Sequence, residues 1–408
     1  MSDPVRVLVV SPPAPVWGAQ LYLLDQVAGL RDRGIELVLA SPRGTPFAEL
    51  WEEHGHELAD LPLELHAGLR KPGSLERQGI GSLARTGLGI GRGVRTLARA
   101  AREFDMMYSF SLRTHIEVAV AGRLARVPTA LDLVDIVRPG VGRRVLRTAS
   151  RLATLTVANS WATASVLPER ARVQVIHPGI DLDRFARIAD DDPRVAAVRA
   201  ELSGATERPL IAIIGRIDVH KGVHVMVEAM KLLGGAAAEA RLLVVGTSGT
   251  GPTEYADRVR AQAESLGDRV AFVGRREDVP DVIRAVDVVV VASMAEPFGL
   301  TALEAQAVGT PVVGTRAGGL VEFVEHEVSG LLVPPTDASA LAAAIERVLA
   351  DDELRRSIVE TAHERAVPAR GVAAQLDEIA DMYRRVAGRS AAGSDADTTR
   401  PSRTGPSS

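Results

Sequence analysis

Short runs, most of them rich in Val, Ile and Leu, recur at residues 5–10, 35–40, 106–111, 210–214, 242–245 and 286–291, with helical patterns between them. Apolar runs of this length alternating with helices predict βαβ units and parallel sheets. The run at 286–291 is apolar at nearly every position, as a strand covered by helices on both faces requires. A second α/β series follows Asp190-Asp191-Asp192-Pro193, where acidic and turn residues interrupt the pattern, so the boundary is expected within 186–208. That gives an N-terminal α/β domain over 1–188 and a C-terminal one over 189–366. Leu341, Ala344, Ile345 and Val348 form a helical stripe within 338–349, and a last helix is expected over about 372–387. Residues 388–408, rich in Ser, Thr, Gly, Asp and Arg, are expected to be a disordered tail.

Length agrees with two domains, because 408 residues exceed the ~250–300 that one core sustains. With 46% hydrophobic and 25% charged residues the composition is that of a globular protein in water. No run approaches the ~18 apolar residues of a spanning helix, and no signal-peptide pattern is present, so a cytoplasmic location is expected. The absence of cysteine excludes thiolate chemistry and Cys-ligated metals. Charge is uneven: residues 70–151 hold 16 Lys and Arg against 6 Asp and Glu, a net of +10 in a chain whose total is −4. Such a stretch attracts phosphorylated substrates, anionic lipid or nucleic acid. Nucleic acid is the weakest partner, since aromatics are 3% and no nucleic-acid motif accompanies the charge. Arg92, Arg95, Arg99 and Arg102 lie on one side of a helical pattern. They fit either peripheral contact with an anionic membrane that presents a lipid-linked acceptor or the wet face of a helix packed on its sheet.

Two segments carry chemistry. In the first, a buried strand ends near Ala292, a loop holds Glu296 and Gly299, and a short helix starts near Leu300 with Glu304 one turn inside it. Free amides at the helix start suit an anion, with a carboxylate on each side to accept sugar hydroxyls. A glycosidase-like acid and base pair, or a plain helix with a loop Glu, are the competing readings. In the second, Gly215-Arg216 and Lys221-Gly222 follow another strand, ahead of a helix whose Val223, Met226, Val227 and Met230 share one face. Arg216 and Lys221 thereby stand at the carboxyl edge of a sheet, where open α/β folds bind ligands. A planar fork and a mobile point charge suit a diphosphate, against the plainer reading of two solvated cations.

The span from Glu296 to Glu304, with Pro-Phe-Gly after the first Glu, resembles the E-x7-E element of the retaining glycosyltransferases of family 4. The likeness extends over Asn159-Ser160, the segment 177–185, Gly215-Arg216, Lys221-Gly222, Gly309-Thr310-Pro311, Ala317-Gly318-Gly319 and Gly330-Leu331-Leu332-Val333-Pro334. The resemblance implies a GT-B fold, in which two Rossmann-like domains with parallel sheets face across a cleft and the last helix returns to the first domain. It implies hexosyl transfer from a nucleotide-diphosphate sugar to a hydroxyl acceptor (a glycan, glycolipid or small molecule), with no cofactor and no metal. Arg216 and Lys221 would neutralise the departing diphosphate, Glu304 would bind the ribose hydroxyls and Glu296 would contact the transferred sugar. Gly18, Gly215 and the amides around Phe298, Gly299 and Leu300 would complete the donor site. Two departures stand on the acceptor side. The first loop reads Val16-Trp17-Gly18, with a single glycine, and Val134 occupies the position of the family's frequent histidine. Asp135, Arg138 or His115 are the candidates to replace it. Another GT-B activity, such as an epimerase or phosphorylase, and an inactive sugar-nucleotide-binding scaffold are the alternatives.

Overall fold

The computed structural model describes residues 3–13, 16, 18–63, 80–189, 192–204, 207–248, 253–365 and 367–389. Apart from Gly388 and Arg389, the expected tail lies outside the described residues, as does Trp17. The apolar runs form two parallel sheets. The first contains β1 (Val5–Val10), β2 (Ile35–Ser41), β3 (Leu58–Asp60), β4 (Met106–Ser109), β5 (Thr129–Leu133), β6 (Leu155–Ala158) and β7 (Val173–Val175), in the order β3-β2-β1-β4-β5-β6-β7. The second contains β8 (Leu210–Ile214), β9 (Arg241–Val245), β10 (Val270–Gly274), β11 (Val288–Val291), β12 (Val312–Thr315) and β13 (Leu331–Val333), in the order β10-β9-β8-β11-β12-β13.

β11 shows why the pattern folds this way. Its four valines are all buried, and successive side chains point to opposite faces. Val288 and Val290 join a cluster with Met226, Met230, Leu341 and Ile345, while Val289 and Val291 join one with Phe298, Leu303 and Leu320. Each valine buried in this way contributes about 1.5–3 kcal/mol. β8 and β11 are neighbours, with Val288 beside Ile211, so the strand order reverses between them. The loops that follow these two strands therefore part at a topological switch point, the usual ligand crevice of an open α/β sheet. In the first sheet the reversal falls between β1 and β4, where Val7 pairs with Met106.

Packing divides the chain into two compact units, Met1–Asn159, Thr163–Ile176 and Leu376–Ser408 in one, Ser160–Ala162 and His177–Gln375 in the other. The second unit thus begins ahead of the acidic turn. Ile180 and Phe185 are already in its core, and Ile180 exchanges backbone hydrogen bonds with Arg370 and Val372. The acidic turn is instead a helix start: Asp192 caps the helix Pro193–Ser203 by accepting from Arg194 N at 2.9 Å. The last helix, Val372–Val386, gives its residues from Leu376 onward to the first unit. There Met382 and Tyr383 are buried, and the Tyr383 ring meets Tyr108 edge-on at 5.3 Å.

Candidate active site

After β8, the chain passes Gly215 and Arg216 and makes a single turn over Val219–Lys221. Asp218 fixes that turn by accepting from the amides of His220 at 2.8 Å and Lys221 at 3.3 Å. Gly222 follows at φ +67°, and a β-carbon there would lie 2.0 Å from the carbonyl oxygen of Ala292, just beyond β11. A glycine is what lets the two loops approach so closely. Met294 N also donates to His220 O across the gap at 2.8 Å.

That approach brings Lys221 to Glu296. The ammonium lies 2.9 and 3.2 Å from the two carboxylate oxygens, and Ser293 Oγ donates to the nearer one at 2.6 Å. Glu296 is only 4% exposed, so its charge is held by these two partners. The backbone of Glu296 is pinned as well. Its carbonyl accepts from Gly319 N at 2.8 Å, and Gly318 sits so close that an added β-carbon would be 1.8 Å from the same oxygen. Arg216, by contrast, has a side chain 70% exposed and pairs only loosely with Asp218, at 3.3 Å.

Beyond Glu296 the loop turns into the helix Leu300–Val308, with Gly299 at its N-cap. The amides of Leu300 and Thr301 stand in the first turn, where a helix has no carbonyl to offer them. Phe298 does not face a ligand: it is buried and stacks on Phe323 at 4.9 Å, so only its backbone is available. Glu304 projects from the next turn. Burial pushes its carboxyl up to about 7, against a smaller opposing pull from Arg184. One unit therefore gathers Gly215, Arg216, Lys221, Glu296, Gly299, Leu300 and Glu304 around one sheet edge.

The raised Glu304 value fixes the sign of a pH effect. Between its ordinary value of 4.5 and about 7 the folded chain binds more protons than the unfolded one, so stability falls as pH rises through that window and levels off above it. At 1.36 kcal/mol per pKa unit the effect is at most about 3 kcal/mol. Glu304→Gln is expected to flatten this loss and raise the melting temperature at pH 8 by several degrees relative to wild type, with little change at pH 4.5. Identical pH dependence of melting in both proteins would show that the buried carboxyl is not its source.

Gly18, expected in the donor set, and the acceptor-side candidates Asp135, Arg138 and His115 all lie in the first unit. Gly18 opens the helix Gly18–Asp32, and Asp135 and Arg138 are exposed in the segment after β5. His115 corrects the sequence expectation. It is 1% exposed, and its Nδ1 lies 2.7 Å from Ser109 Oγ. Burial lowers its pKa to about 3, so it is a neutral, enclosed residue at the start of the helix His115–Ala125. A more conspicuous group there is Asp132 at the end of β5, hydrogen-bonded to Tyr108 and pushed by burial up to about 7. Sequence reading also missed Ser293, Asp218 and Glu322. Glu322 accepts from the amides of Trp161 and Ala162 at 3.0 and 2.9 Å and lies 2.9 Å from His177 Nε2. Of these, only Asp218 had a visible signal, as a capping type just before a turn.

Residues 196–365 match the family model described as glycosyl transferases group 1. That match lies within the second unit. Curated relatives that this chain resembles include the D-inositol 3-phosphate glycosyltransferase of Salinispora arenicola, 39% identical over 241 residues that cover 55% of this chain and 52% of the relative. The enzyme of that name from Mycolicibacterium smegmatis is 37% identical over 211 residues, 51% of this chain and 47% of the relative. The chain thus spans about half the length of the curated relatives it matches. Over nearly the whole chain, the crystal structure of Anabaena HepE in complex with UDP and glucose superposes with a TM-score of 0.74 at 26% identity, covering 93% of this chain and 99% of that one. The family resemblance read from the E-x7-E segment is borne out, and the two parallel sheets are those of the GT-B fold.

Proposed function

We propose that the chain transfers a hexosyl unit from a nucleotide-diphosphate sugar to a hydroxyl acceptor with retention of configuration. The observation that carries this reading is the Lys221–Glu296 pair beside the helix start at Leu300, with exposed Arg216 alongside, at the β8/β11 switch point. The similarity to HepE, whose structure holds UDP and glucose, supports a nucleotide-sugar donor. Arg216 and Lys221 stabilise the charge that develops on the departing diphosphate. Glu296 positions Lys221 until the diphosphate draws the ammonium away, and then offers the freed oxygen to a sugar hydroxyl. Glu304 accepts from the ribose hydroxyls. The acceptor oxygen attacks the anomeric carbon on the face the diphosphate leaves, and a leaving phosphate oxygen takes the acceptor proton. These groups supply the needed charge without a metal or cofactor. The curated relatives are named for D-inositol 3-phosphate, and the net +10 of residues 70–151 suits a phosphorylated or lipid-linked acceptor.

A thermal-shift screen against UDP-, GDP-, ADP- and dTDP-sugars, with NAD as control and no added metal, tests the donor. Ligand at ~100 times its dissociation constant adds about 2.7 kcal/mol to the folded state, or roughly 5–10 °C for domains of this size. One sugar nucleotide is expected to give such a shift in wild type and not in Glu304→Ala. No shift with any of them, or one with NAD, would overturn the reading.

A further inference from the structure

Some arginines elsewhere in the first unit meet a carboxylate, as Arg6, Arg33, Arg43 and Arg389 do. Arg123, Arg126, Arg151, Arg170 and Arg172 are exposed and make no ion pair among the described residues, yet all five line one cavity of about 550 Å³. The cavity opens at the amino ends of β5, β6 and β7, where Thr129, Thr154 and Arg172 stand, away from the edge that carries the loops after β1 and β4. No carboxylate and no aromatic ring lines it. A neighbouring cavity of about 390 Å³ shares Arg151 and Arg170 and adds Arg143 and Arg147 against one carboxylate, Glu169, so its lining also carries net positive charge.

Ordinary structural work accounts for only part of this charge. The helices His115–Ala125 and Val141–Leu152 both end here, and each helix end carries about half a negative charge. Arg123 Nε donates to the Leu152 carbonyl at 2.7 Å. Roughly one of the five positive charges is thereby offset. The others converge on water, in a concave site of one sign that focuses its field. All five are arginines, whose planar forks match phosphate oxygens in pairs. We propose that this amino-edge cavity binds a multiply charged phosphate group, carried by a free polyphosphorylated molecule or by a lipid headgroup, as a site separate from the donor site. A single-stranded nucleic acid would want stacking surfaces, which the cavity lacks.

The test uses the full chain in an Arg216→Ala background, so that the donor site contributes little to phosphate binding. Calorimetry measures inorganic tripolyphosphate. Sedimentation measures vesicles of phosphatidylglycerol with phosphatidylcholine against phosphatidylcholine alone. Adding Arg151→Ala and Arg170→Ala is expected to weaken whichever probe binds by at least tenfold. Tripolyphosphate binding lost in this way assigns a free phosphate, and vesicle binding alone, lost in the same way, assigns a lipid headgroup. Binding that survives the substitutions, absence of binding to both probes, or stronger arginine-dependent binding of a single-stranded oligonucleotide overturns the proposal. If the first pair loses its fold, Arg126→Ala with Arg172→Ala, from other segments, gives the same reading. None of these outcomes depends on turnover, so the donor assignment stands or falls separately.

Discussion

Arg216→Ala is expected to lower kcat for sugar transfer by about 10²–10³-fold, the loss of roughly 2.7–4 kcal/mol that follows removal of one donor aimed at developing negative charge. It should leave the melting temperature nearly unchanged. The Arg216 side chain is 70% exposed and its ion pair with Asp218, at 3.3 Å, is long, so stability should move by no more than about 0.5 kcal/mol. Lys221→Ala should lose turnover to a similar extent but also destabilise, because it leaves the buried Glu296 carboxylate with Ser293 as its remaining partner. Breaking a fully buried pair costs about 3–5 kcal/mol. With Lys221 31% exposed, about 1–3 kcal/mol is expected here. Steady-state kinetics and thermal denaturation of the two variants separate the roles. Turnover near the wild-type rate in both would remove Arg216 and Lys221 from the chemistry.

Gly318→Ala is the second large effect, and it acts through shape alone. The position has φ +61°, and a β-carbon would stand 1.8 Å from the oxygen and 2.7 Å from the carbon of the Glu296 carbonyl. Backbone atoms cannot rotate away as a side chain can. The left-handed conformation costs about 1–2 kcal/mol for a residue with a β-carbon, and displacing the Glu296 loop adds to it, so a total of about 3 kcal/mol or more is expected. That corresponds to roughly 6–12 °C in melting temperature, with transfer activity falling as well because Glu296 and Lys221 move together. Gly235 is the control in the same unit, at φ +53° with nothing within 4 Å of an added β-carbon. Gly235→Ala should cost only about 1–2 kcal/mol. Equal losses in the two variants would mean that the contact with Glu296 does not hold the loop.

Elements dominated by local patterning were legible in the sequence. Residues 210–214 are strand as read, and the helix Leu300–Val308 starts and stops where its glycines indicate. In the apolar run at 286–291 the strand proper begins at Val288, after Asp287, whose backbone N donates to Leu210 O at 2.8 Å while its carboxylate accepts from Leu210 N at 2.7 Å and pairs with Arg199. The run at 106–111 stops at Ser109, whose hydroxyl is taken by Thr114 and His115. The site divides in the same way. Arg216, Lys221, Glu296 and Glu304 follow from strand ends and motif spacing. The clamp of Gly318 and Gly319 on Glu296 and the hold of Glu322 on Trp161 and Ala162 join residues more than twenty positions apart. No local pattern encodes such contacts. His115 misled because an isolated histidine near a strand end looks the same in sequence whether it faces solvent or the core.

The return of the last helix has a consequence for how the chain is made. Leu376, Met382 and Tyr383 fill part of the interior of the first unit, each such side chain adding about 1.5–3 kcal/mol. Synthesis runs from the N-terminus and domains generally fold as they emerge, yet here the half of the protein made first lacks a piece of its core until the whole second unit has been made. The second unit, continuous from His177 to Gln375, can close before it. Proteolytic cleavage or premature termination ahead of Leu376 would accordingly be felt far back along the polypeptide, as a loosened first sheet.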